Sequence, residues 1–170
     1  MKQLFFMLVC LMAAANVNAK DVDSLYAKDL LPIGTEAPLI PHDNSLSKDF
    51  NTKGHYTVLD FWATWCPDCR RDIPVMKDIV KEFRSSRIHF MGVSFDTDSA
   101  TLNRFTEKNE IQWAQYCEYR KWKETQISKD FNIKWIPTYY ILDPDRKVCF
   151  TTVDINRLRK KLEEIGKNAD

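Results

Sequence analysis

Two cysteines separated by two residues, Cys66-Pro67-Asp68-Cys69, point most directly to chemistry in this chain. A thiolate attacks a disulfide sulfur, and a second thiol one helical turn away releases the mixed disulfide by closing a small ring. Upstream, Val58 to Ala63 is an apolar run broken only by Asp60, which suits a strand covered on both faces. Downstream, Ile73, Met76, Val80 and Phe83 fall at i, i+3, i+7 and i+10 among charged residues, the pattern of a helix with one buried stripe. Cys66 is therefore expected where a strand ends and a helix begins. The unpaired N–H groups and partial positive charge of a helix start favour a thiolate there. Pro67 suits the first helical position, where its missing N–H costs nothing. Cys66 reads as the attacking thiol and Cys69, one turn deeper, as the resolving thiol. Asp68 works against a thiolate at Cys66, while Arg70 and Arg71 favour one through screened, exposed charges.

Two other readings of the pair remain open. Half of a zinc site needs a second ligand pair nearby, and Cys117 and Cys149, 32 residues apart, do not supply one. A purely structural disulfide is the other. The redox reading is preferred, with no metal and no cofactor beyond the Cys66–Cys69 disulfide. Cys117 and Cys149 suit buried small apolar positions, and a bond between them is also open.

At 170 residues, with 44% hydrophobic and 29% charged residues, the chain suits one globular domain. A net charge of +1 excludes the strongly basic balance of a nucleic-acid binder. Lys2, the apolar run Leu4 to Ala15 and Val17-Asn18-Ala19 have the form of a signal peptide over residues 1–19. The reading is an exported, periplasmic protein with no membrane attachment once mature; an uncleaved anchor is the alternative. Residues 20–33 read as a loosely held segment, and 34–170 as the domain.

Ala37 to Ile40 resembles a short edge strand, and His42 and His55 read as solvated. Ile88 to Phe95 is a second strand, Asp96 to Ser99 a capping cluster, and Leu102 and Phe105 the start of a second helical stripe. Trp113 to Tyr116 reads as a short strand, Glu124 to Phe131 as a helix, and Tyr139 to Leu142 as a strand. A turn at Asp143 to Arg146 leads into the returning strand Lys147 to Val153, and a last helix runs from Ile155 to Ile165 with Asp154 as N-cap. The sum is an α/β fold with a mixed central sheet flanked by helices.

Three stretches together resemble the thioredoxin-like thiol–disulfide oxidoreductases of the exported TlpA/ResA type: Asp60 to Cys69, Pro74, and Trp135-Ile136-Pro137-Thr138. The resemblance covers about residues 34 to 165. It implies a thioredoxin-like fold with an extra helix and strand, from about Asp96 to Lys123, before a cis-proline loop at Ile136-Pro137. It implies that Trp65, Pro67, Ile136, Pro137 and Thr138 border the substrate, with the Ile136 backbone free to pair with an extended strand. Disulfide- or dithiol-containing proteins and a separate redox partner are the implied partners. Asp60 matches the buried carboxylate of thioredoxin, and Asp72 stands where the ResA branch usually has Glu. A buried Cys69 needs a base, and burial should raise the Asp60 pKa toward the working range; Asp60 is the expected proton carrier and Asp72 the second candidate. Arg146 and Thr152-Val153-Asp154 occupy places where the family often has Gly.

A peroxiredoxin-like peroxidase is the nearest rival, since Gly92 to Asp96 and Ala37-Pro38 also occur in such proteins. That chemistry wants Pro-x-x-x-Thr-x-x-Cys, and the residues before Cys66 contain no Pro and place Thr64 one position off. A non-catalytic binding module is the rival from another class.

Overall fold

A computed structural model describes residues 21–40 and 53–167. The signal-peptide reading, Cys10 and His42 lie outside the described residues. Among the described residues no helix is long and apolar enough to cross a membrane.

The apolar run around Asp60 forms the central strand β1, Tyr56–Trp62. It pairs in parallel with β2, Ile88–Ser94, which pairs in parallel with the edge strand β3, Ala114–Cys117. On the other side β1 meets β4, Thr138–Leu142, and β4 meets β5, Val148–Thr152, both antiparallel. The sheet order is β3-β2-β1-β4-β5. Helices are α1, Val22–Tyr26; α2, Pro67–Phe83; α3, Ser99–Lys108; α4, Gln126–Asp130; and α5, Ile155–Lys167. The extra helix and strand expected before the proline loop are α3 and β3.

Successive residues of a strand point to opposite faces, so the sheet has two apolar layers. Val58, Tyr139 and Ile141 pack with Met76, Ile79 and Val80 of α2 and with Leu158 and Leu162 of α5. Leu59, Phe61, Tyr140 and Leu142 pack on the other face with Leu102, Ile127 and Phe131. Asp60 shares the parity of Val58 and is thus directed under α2, toward the cysteines. Gly92 stands across from Gln115 in the β2–β3 ladder, and a Cβ there would overlap the Gln115 side chain, whose Oε1 accepts the Trp62 indole N–H at 3.0 Å.

Several elements differ from the reading of the sequence. The segment 20–33 is not loosely held where it is described, because α1 is clamped. The Asp23 carboxylate accepts hydrogen bonds from Thr152 Oγ1, Val153 N and Arg157 Nη1, and Arg157 also pairs with Asp21. The edge strand expected at 37–40 is reduced to a single bridge between Glu36 and Lys147. The helix expected over 124–131 is split: Trp122–Glu124 is a 3-10 turn, and Thr125 starts α4 as its N-cap by accepting the Ser128 N–H. His55 is buried rather than solvated, its ring 3.6 Å from that of His89, which the β1–β2 register sets beside Thr57. Burial first, and His55 second, hold the His89 pKa below its usual range. Cys117 and Cys149 are free thiols on the two opposite edge strands, so they cannot pair. Arg146 holds the turn position with φ 64°, a left-handed conformation that explains why Gly is favoured there, and its side chain pairs with Glu36.

Candidate active site

β1 ends at Trp62, and Cys66 is the N-cap of α2 with Pro67 as the first helical residue. Cys66 and Cys69 are joined as a disulfide with Cα atoms 5.3 Å apart. The Cys66 sulfur accepts the Cys69 N–H at 3.1 Å, one of the helix-start donors that lack a partner within the helix. The turn leading to Cys66 is fixed from behind. The buried Asp96 carboxylate accepts from the Thr64 backbone N–H at 3.0 Å, from the Thr64 hydroxyl and from the Ser94 hydroxyl at 2.6 Å. Asp96 is therefore an anchor of the redox turn, while Asp98 caps α3 by accepting the Thr101 N–H at 2.7 Å.

The Ile136–Pro137 peptide is cis, and the Ile136 carbonyl lies 3.8 Å from the Cys66 sulfur. Thr138 is fully buried, its hydroxyl donated to the Trp135 carbonyl at 2.7 Å; it shapes the loop and offers no side-chain surface to a partner. Trp65 is 52% exposed beside Cys66. Both cysteines are 4% exposed, so the expected contrast in depth is absent. What separates them is surroundings: Cys66 meets the proline loop, and Cys69 lines an internal cleft.

That cleft is formed by Asp60, Trp62, Cys69, Asp72, Trp113 and Tyr139 among others, and its volume of about 10 Å³ is room for about one water. Asp60 is half-buried as a residue, but protein surrounds its carboxyl. Burial first, and the neighbouring Asp72 charge second, push the Asp60 pKa up to about 8. Asp72 is half-buried, and its Oδ2 accepts the Tyr139 hydroxyl at 2.9 Å. Burial raises the Asp72 pKa too; the Tyr139 hydrogen bond and Arg71 oppose this, while Asp68 and Asp154 add to it. The structure thus gathers Cys66, Cys69, Asp60, Asp72, Trp65, Pro67, Ile136 and Pro137 around one disulfide. Sequence reasoning missed Tyr139, although the residue follows the proline loop directly, because its contact with Asp72 depends on how β4 registers against β1. It also missed α1. Tyr26 stacks on Trp135 with ring centroids 4.2 Å apart, and Val22 and Tyr26 line an open groove with Asp68, Arg71, Asp72 and Pro137. Among the described residues no group of three or more His, Cys, Asp or Glu side chains is placed to hold a metal.

The sequence pattern of the AhpC/TSA family matches residues 34–151. The chain belongs to that family. It is 23% identical over 167 residues to a protein named thiol-disulfide oxidoreductase ResA from Bacillus cereus, covering 95% of this chain and 92% of that one. The thioredoxin domain of a thiol-disulfide oxidoreductase from Bacteroides vulgatus superposes with a TM-score of 0.69 at 23% identity, covering 79% of this chain and 98% of that one. A thiol:disulfide interchange protein DsbE from Chlorobium tepidum gives a TM-score of 0.66 at 22% identity over 79% of this chain and 94% of its own. These likenesses fix the fold as thioredoxin-like.

Proposed function

We propose that this member of the AhpC/TSA family is an exported thiol–disulfide oxidoreductase that reduces disulfides in protein substrates through Cys66 and Cys69. The observation that carries the reading is the Cys66–Cys69 disulfide at the α2 N-terminus, with Asp60 and Cys69 lining one cleft. The names of the ResA and DsbE relatives support it. Export rests on the signal-peptide form of residues 1–19.

The reaction balances as two sulfur exchanges. The Cys66 thiolate attacks a substrate disulfide, forms a Cys66–substrate disulfide and releases one substrate thiolate. Cys69 gives its proton to the Asp60 carboxylate, attacks the Cys66 sulfur and releases the second substrate thiolate. The substrate gains two electrons and the enzyme ends oxidised, with the closed disulfide seen here and a proton on Asp60 below about pH 8. A separate dithiol partner restores the reduced pair. The groove beside Pro137, about 360 Å³ in volume, is bounded by Asp68, which lies between the two cysteines in sequence, and suits an extended segment of the substrate.

The test is insulin disulfide reduction driven by dithiothreitol, with hydrogen peroxide consumption measured alongside. Cys66→Ser abolishes insulin reduction, and Cys69→Ser traps a substrate as a mixed disulfide. Peroxide turnover matching or exceeding disulfide turnover would make the protein a peroxidase. The absence of both activities in the reduced wild type would make it a binding module.

A further inference from the structure

Protein encloses the Asp60 carboxyl, although the residue as a whole is only partly buried. The cleft it shares with Cys69 is small, and its other walls include Trp62, Ile73, Met76, Ile111 and Trp113. Outside lies the groove bounded by Val22, Tyr26, Asp68, Arg71, Trp135, Pro137 and Asp154. Among the described residues Asp72 is the one that lines both. Trp113 also borders a second surface cavity, but an indole N–H donates only and carries no proton onward. Ile73 borders another and is apolar.

Asp72 is also held in place. Tyr139 stands opposite Asp60 in the β1–β4 ladder, and its hydroxyl donates to Asp72 Oδ2 at 2.9 Å. One tyrosine thus links the strand that carries Asp60 to the helix that carries Asp72. We propose that Asp72 is the port through which the buried Asp60–Cys69 pair exchanges its proton with solvent, and that Tyr139 is the residue that positions it there. The inference rests on the proposed role of Asp60 as proton carrier.

The need for such a port follows from the chemistry. Below about pH 8 Asp60 holds a proton, and it must lose that proton before it can accept another from Cys69. The cleft has room for about one water to link the two carboxylates. The proton passes from Asp60 through that water to the Asp72 carboxylate, and from Asp72 to water in the groove. The charged and titratable groups facing Asp72 are Asp60 on β1, Tyr139 on β4, Asp68 and Arg71 on α2, and Asp154 before α5. Arg71 is engaged with Asp68 at 2.8 Å, and the Asp154 backbone and side chain serve the start of α5.

A purely electrostatic role for Asp72 has the opposite consequence. The Asp72 charge helps to keep the proton on Asp60, so its removal would leave Asp60 more ionised and a better base at neutral pH. Asp72→Asn would then speed resolution of the mixed disulfide. The port requires that it slow resolution.

The test loads Cys66 with 5-thio-2-nitrobenzoate and follows release of the coloured thiolate by stopped flow from pH 6 to 8 at increasing imidazole. In wild type the rate is independent of imidazole. In Asp72→Asn the rate at pH 7 falls by about tenfold, within the range of general acid–base effects, and recovers as imidazole carries the proton instead. Tyr139→Phe keeps the carboxylate but not its tether, so it gives a smaller fall with the same recovery. An Asp72→Asn rate equal to or above wild type, or a fall that imidazole does not restore, overturns the port. Asp60→Asn separates the two claims. If it resolves at the wild-type rate, the proton-carrier reading fails; if it is slow while Asp72→Asn is not, the port alone fails.

Discussion

Replacing Asp60 with Asn removes a carboxyl whose pKa burial raises from 3.8 to about 8. A group with a raised folded-state pKa leaves the fold at full strength below its unfolded pKa and weakens it as pH rises through the folded value. Wild type therefore loses stability from about pH 4 to pH 8 through this residue, and Asp60→Asn does not. Each pKa unit is worth about 1.4 kcal/mol, so the interval from pH 5 to 8 is worth about 4 kcal/mol, an upper limit because water entry relieves part of it. The assay is urea unfolding of the oxidised protein at pH 5, 6, 7 and 8, taken as the difference between variant and wild type so that other titrations cancel. The variant gains on wild type steadily with pH. A difference that changes by less than about 1 kcal/mol over that interval refutes the assignment of a buried, neutral Asp60.

Unfolding the oxidised chain from Lys20 onward exposes two thiols to a thiol reagent, those of Cys117 and Cys149, and the Cys117→Ser, Cys149→Ser double variant retains insulin reduction. Gly92→Ala drives a Cβ into Gln115 and lowers stability in urea by about 1–3 kcal/mol, the usual range for overpacking. Asp96→Ala strips the redox turn of its buried acceptor and costs about 2–3 kcal/mol by the same measurement. Tyr26→Ala removes the ring stacked on Trp135 and raises KM for a protein disulfide about three- to tenfold, more than for a small disulfide.

The strand-to-helix junction at Cys66 was legible because everything that makes it is local: an apolar run, a proline at the first helical position and a 3.6-residue stripe. Asp60 was legible for the same reason, since it interrupts that run, whereas Asp72 stood out only through the resemblance to the ResA branch, which usually has Glu there. What the chain brings together across the sheet was not legible. Tyr139 reaches Asp72 only because β4 runs antiparallel to β1 and sets Tyr139 opposite Asp60. His55 read as solvated because nothing nearby in sequence covers it; the cover is His89, brought by the β1–β2 register. Asp96 sat in a cluster of capping residues, and its carboxylate turned back to Thr64, which lies 32 residues earlier. Thr138 lay beside the proline and looked available, yet strand pairing buries it completely. The polar segment before Gly34 has few apolar anchors, and it is charge that holds its helix.

That last attachment separates selectivity from foldedness. α1 contributes no buried residue, and it is fastened by Arg157, Thr152 and the Val153 backbone through two aspartates, with one ring stacked on Trp135. Substitutions at Val22, Leu25 or Tyr26 therefore act on a surface whose loss leaves both apolar layers intact. Under the proposed function, mutation can redraw one wall of the substrate groove while the disulfide, the carboxylates and the sheet stay as they are. The molecule can acquire new partners by drift in a handful of residues, without first accumulating spare stability to absorb the change.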